Sequence, residues 1–227
     1  MEVKAVFSVE ISNEIPDTVK DWEKYRPFKF LCGSIAYSSS THQGVNFFIY
    51  DDPTMLLQRI NTGIAGGRLY SWNGLGFGFV ALADSTGCIE DCARFANLHT
   101  DVMFDFFCRH GYPISLLSVA HGFGFDDEVE RIMTNNSKVC GWAKEGRTEE
   151  IALHSRMKTV LILRVVEKIE ESHGIVWINS RGQLSMETIE YLHPVCEAFH
   201  LQEPDMSYMS DPKTRESFIS WQRGGKQ

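Results

Sequence analysis

The sequence predicts an α+β fold, a single domain with a mixed or mostly antiparallel sheet flanked by helices. Three observations carry this. Polar and apolar alternation opens the chain, helical spacing fills its middle, and a short apolar strand returns after residue 173.

Residues 3–12 place Val3, Ala5, Phe7, Val9 and Ile11 against Glu2, Lys4, Ser8 and Glu10, the pattern of a half-buried strand. Pro16-Asp17 opens a short helix to about Lys24. "FKFLCGSIAYSSS" and "GVNFFIYDD" read as two strands of a hairpin around the polar turn Ser38 to Gly44. Pro53 starts a short helix that ends near Gly63. In "GIAGGRLYSWNGLGFGFVALAD" a Gly-x-Gly-x-Gly run leads into an apolar segment, Phe77 to Ala83, expected as a strand. A phosphate loop needs such glycines to enter a helix, and no Gly-Lys-Ser/Thr follows.

Residues 87–110 carry the clearest helical stripe: Cys88, Cys92, Phe95, His99, Val102 and Phe106 step by four and three, and Gly111 closes the run. Ser85 or Thr86 caps it, and Phe95, Val102 and Phe106 are expected on one buried face. His99 on that stripe reads as a hydrogen-bonded core histidine. The apolar run Ile114 to Ala120 is expected as a strand that ends on His121, with a helix beginning at Asp126 or Asp127. Thr148 caps a long helix, although the β-branched middle, 158–166, also suits a strand. "GIVWINS" is a strand, Ser180 to Gly182 a turn, and Met186 to Leu192 a helix. Pro194 forces a restart before a last helix, Val195 to Leu201. The domain is expected over 1–203, followed by a partly mobile tail, 204–227, in which Phe218, Ile219 and Trp221 can dock on the body.

Composition narrows the functional classes. Hydrophobic residues make up 43% of the 227, enough to build a sizeable core. The net charge of −8 lacks the basic footprint of a general nucleic-acid binder. No apolar run is long enough to cross a bilayer, and the N-terminus shows no signal-peptide pattern. The six cysteines show no CxxC spacing, so free thiols and a cytoplasmic location are expected.

Candidate chemistry centres on "SVAHGFGFDDEVE". There His121 stands as a candidate general base that Asp126 or Asp127 would orient; the same carboxylates also suit a helix start. His193, Glu197 and His200 step by four and three in a ligand-like pattern, but Pro194 breaks the helical face, so no metal is expected. No cofactor motif is present, and no cofactor is expected. Tyr70, Trp72, Phe123, Phe125 and Trp142 are candidate binding anchors in loops. The reading is therefore a soluble binding protein of the inhibitor, immunity or adaptor type, acting through a protein–protein surface. A protein partner is expected, with a second copy of the chain as a further candidate, and neither a membrane nor nucleic acid. The alternative is a hydrolase or transferase built around His121.

Overall fold

In the computed structural model, which describes residues 3–16, 22–39 and 42–223, a five-stranded mixed sheet sits between two helical layers. The strands are β1 (Val3–Ile11), β2 (Phe30–Ser39), β3 (His42–Tyr50), β4 (Gly67–Ser71) and the two-residue β5 (Thr100–Asp101), in the order β3-β2-β1-β4-β5. β1 pairs antiparallel with β2, and β2 with β3. β4 runs parallel to β1, and β5 parallel to β4. The predicted α+β class, with a mixed sheet in one domain, is the class observed.

Alternation along β1 assigns the layers. Ala5, Phe7, Val9 and Ile11 join the core beneath α1 (Pro53–Gly66), α2 (Phe79–Thr86) and α3 (Ile89–Leu98). Val6 faces the opposite core, dominated by the 25-residue α8 (Thr148–Ser172). α8 buries Leu161, Ile162, Leu163, Val165, Val166 and Ile169, so 158–166 is helix. Between these elements lie α4 (Val102–His110), α5 (Leu116–Gly122), α6 (Asp126–Asn136) and α7 (Val139–Glu145). After α8 come the hairpin of β6 (Gly174–Ile178) and β7 (Leu184–Thr188), then a short α9 (Val195–Ala198). Among the described residues no helix is long and apolar enough to cross a membrane.

Five sequence expectations are corrected. β1 is covered on both faces, because α8 lies over Ser8 and Glu10. Residues 74–86 form a π turn and then α2, whose Phe79 to Ala83 are all buried; an apolar run enclosed all round reads the same as a buried strand. The helix expected over 87–110 is broken at His99, where the chain extends into β5 before Asp101 caps α4. Phe95 and Phe106 are both buried but lie in different cores. Ile114 to Ala120 is not a strand: Ser115 accepts from the Ser118 amide and starts α5. Residues 184–188 form β7 rather than a helix, in register with β6.

The helix expected from Pro16 to Lys24 falls partly on 17–21, outside the described residues, and Trp22–Tyr25 make one 3₁₀ turn. Residues 40–41 of the hairpin turn and 224–227 of the tail also lie outside them. The 3₁₀ segment Arg215–Arg223 is docked. Arg215 donates to the carbonyls of Phe199 and Leu201 at 2.7 Å and of Cys108 at 2.9 Å, and Trp221 Nε1 donates to Leu75 O at 3.0 Å.

Candidate functional site

Strands β1, β4 and β5 run parallel, so their carboxyl ends open on one side of the sheet. After β1 the chain builds β2 and β3 to one side, then returns through α1 to add β4 on the other. That reversal is a topological switch point, and crevices outside the carboxyl ends at such points are where open α/β sheets take ligands.

The loop after β4 is built for this position. Asn73 is left-handed (φ 59°) and begins the π turn Gly74–Gly78. A Cβ on residue 74 would stand 2.2 Å from Ser71 Oγ, so only glycine allows this return. The fully buried Asp101 anchors the loop. One carboxylate oxygen accepts from the amides of Asn73 (2.9 Å), Met103 (3.1 Å) and Phe104 (3.3 Å), and the other from Leu75 (2.8 Å). Burial pushes the Asp101 carboxyl up to about 6, against the pull of those four amides. Beside it, burial lowers His99 to about 4, so its ring is neutral at pH 7. Nδ1 then donates to Ala96 O (2.7 Å), and Nε2 accepts from Ser71 Oγ (2.9 Å). The serine–histidine geometry is that of an activated nucleophile, but both side chains are sealed from water, and the pair acts as a strut beneath the loop.

Two clefts open beside this framework. One, of about 910 Å³, is lined by Trp22, Asn73, Met103, Tyr208, Lys213 and Phe218. The other, of about 620 Å³, is lined by Glu10, Pro16, Phe77, Cys140, Gly141 and Lys158. The rings of Trp22 and Phe77, 5.9 Å apart, form the wall between them. A third cleft of about 470 Å³ shares Asn13, Glu14 and Cys140 with the second and adds Tyr25, Lys29 and Lys144. The first two clefts share no lining residue, but all three are lined by residues at or beyond the carboxyl ends of these strands, and we treat them as one groove.

On the groove floor Lys158 Nζ bonds Glu10 Oε1 at 2.9 Å. Behind this ion pair, α8 meets the sheet through hydroxyls. Thr159 Oγ1 lies 2.6 Å from Ser8 Oγ and 2.5 Å from Ser34 Oγ, and Ser34 Oγ is 2.8 Å from Ser155 Oγ. His154 is buried nearby with neither ring nitrogen hydrogen-bonded; burial lowers its affinity for a proton. These residues escaped sequence reasoning because Ser8 and Glu10 fit the solvent side of an alternating strand. The signal that could have exposed them is the Ser155, Lys158, Thr159 spacing on α8.

The sequence candidates lie elsewhere. His121 sits in the last turn of α5, and its Nδ1 is 2.6 Å from Asp126 Oδ1 at the start of α6, so the two come together. Both are open to water, with side chains 39% and 72% exposed, and Asp127 is exposed as well. Gly122 is close-packed: a Cβ there would fall 2.4 Å from Val176 O of β6. The aromatic candidates mostly serve the core. Tyr70 is fully buried, with its OH 2.5 Å from Glu170, and Phe125 and Trp142 are buried. Trp72 donates to Ile114 O and is half-buried, as is Phe123. His193 pairs with buried Asp105 (2.8 Å), whereas Glu197 and His200 are exposed. Among the described residues no group of three or more His, Cys, Asp or Glu is placed to hold a metal ion. No protein-family model matches the chain, and no curated protein or solved structure is significantly similar to it.

Proposed function

We propose that this protein works by binding, and that it takes an extended segment of a protein partner in the groove outside the carboxyl ends of β1, β4 and β5. The observation that carries this reading is the groove's balance of charge and aromatic surface. Glu10, Glu14, Glu23 and Asp211 line it with Lys29, Lys144, Lys158 and Lys213, four carboxylates against four lysines. A groove for single-stranded nucleic acid is net positive so that it can track phosphates. A neutral groove with Trp22, Tyr25, Phe77, Tyr208, Phe218 and Met103 suits peptide side chains and backbone amides instead. The carboxylate best placed for chemistry, Glu10, is already bound by Lys158. Six free cysteines fit a reducing cytoplasm, which is the compartment we propose.

The test is selection of peptides from a random displayed library, with affinities compared on variants. Tyr208→Ser removes an exposed groove aromatic and should weaken selected peptides roughly tenfold, as loss of an interface anchor does. Peptides that bind the variant unchanged, or that a short oligonucleotide displaces at physiological salt, would overturn the reading. A second reading, a hydrolase or transferase centred on His121, rests on the 2.6 Å contact that orients its ring. The exposure of both partners weighs against it, since acid–base catalysis is favoured in a concave site.

A further inference from the structure

β3 is an edge strand without the charged side chains, prolines or short length that protect such an edge, and the one register shift in its ladder with β2, between Tyr37 and Ser39, is confined to the hairpin end. Native sheets blunt their edges with charged side chains, prolines or short strands. β3 runs for nine residues, His42–Tyr50, with the sequence HQGVNFFIY, and carries no Asp, Glu, Lys, Arg or Pro. Mean strands are about five or six residues long, so this edge is long as well as neutral. Its inner side pairs with β2 from Gly33↔Tyr50 to Ser39↔His42, and among the described residues no strand pairs with its outer side. Apolar side chains are exposed on both of its faces: Val45 at 42%, Phe48 at 44% and Ile49 at 39%. Arg59 stacks on Phe48 from the α1 side and Arg156 on Phe47 from the α8 side, which leaves the apolar rim between them.

We infer that β3 pairs antiparallel with β3 of a second copy of this chain, so that two five-stranded sheets join across a two-fold axis. Charge selects this occupant. The chain carries a net charge of −8, so a second copy is repelled least where it meets a segment that bears no charge of its own. At β3 the strand that arrives is as uncharged as the strand that receives it. A two-fold antiparallel pairing is also self-complementary, because each backbone donor on one edge meets an acceptor on the other. The joined sheet has ten strands, within the range of open sheets.

Analytical ultracentrifugation of the full chain tests this. The expected species at micromolar and higher concentration is about 52 kDa, twice the 25.9 kDa chain. Phe48→Lys and, separately, Val45→Lys place a charge on the rim and should each return a monomer with an unchanged circular dichroism spectrum. Amides of β3 that point away from β2 should exchange slowly in the wild type and fast in both variants. If one variant fails to fold, the other and the wild-type exchange pattern decide. A wild-type monomer at about 100 μM, a dimer that survives both substitutions, or fast exchange of the outward amides in the dimer would each overturn the inference.

Discussion

Lys158→Met removes the cation from the groove floor and leaves Glu10 with no opposite charge at 2.9 Å. The Glu10 side chain is 9% exposed, so water cannot readily replace the lost partner, whereas Lys158 keeps 26% of its own side chain in solvent. Breaking a buried ion pair by deleting one member costs about 3–5 kcal/mol; the partial exposure of Lys158 puts the expected loss near the low end, about 3 kcal/mol. For a chain of this size that lowers the melting temperature by about 10 °C. Combining Lys158→Met with Glu10→Gln removes the stranded charge and should recover most of the loss, to within about 1 kcal/mol of wild type. Urea denaturation of the four proteins in the cycle gives the coupling energy. A loss below about 1 kcal/mol in the single variant, or a double variant no better than Lys158→Met alone, would refute the claim that Glu10 depends on Lys158 for its neutralisation.

The remaining expectations concern the supporting core and the rival site. His99, held down to about 4 by burial, adds stability that is complete above pH 6.5 and lost as pH falls toward 4, about 3 kcal/mol in all. Asp101, pushed up to about 6, contributes in the opposite sense: its share is complete below pH 3.8 and lost as pH rises through 6. His99→Gln should therefore become more stable from pH 6.5 to 4 relative to wild type, and a matching pH slope in urea titrations would contradict this. Phe106, fully buried against Trp177, Tyr112 and His110, should cost roughly 3–5 kcal/mol on truncation to Ala; a loss below about 1 kcal/mol would remove it from the core. His121→Ala should leave peptide affinity unchanged and shift stability by less than about 1 kcal/mol, because the exposed pair it breaks is a surface contact.

The elements legible in the sequence were those with long, unambiguous periodicity or a fixed end. β1 alternates except at Val6, α1 starts at Pro53, and α8 shows a helical stripe and a left-handed end at His173 despite its β-branched middle, although Arg147 rather than Thr148 stands at its N-cap without a side-chain cap bond. Short apolar runs were misread where burial is complete. The first five residues of α2, Phe79 to Ala83, show no polar face because they are enclosed on every side, and Phe77 to Ala83 therefore reads as a strand. The stripe through 87–110 survives a break in the helix because α3 ends at an extended His99 and Asp101 caps α4 without disturbing the apolar spacing. The groove was the least legible feature. Glu10 and Lys158 are 148 residues apart, and Asp101 reaches back to amides 26 and 28 residues earlier. Such partners meet only through the order of strands in the sheet, which local patterns do not encode.

The most direct test of the groove as the binding site is an NMR titration of the full chain, labelled at methionine methyls, tryptophan indoles and histidine rings, with a library-selected peptide. The Met103 methyl and the Trp22 indole, which line the groove, should shift in step with binding, while the Trp177 indole of β6 and the ring signals of His121 hold their positions. Shifts confined to His121 and its neighbours, with Met103 and Trp22 unmoved at saturation, would contradict it.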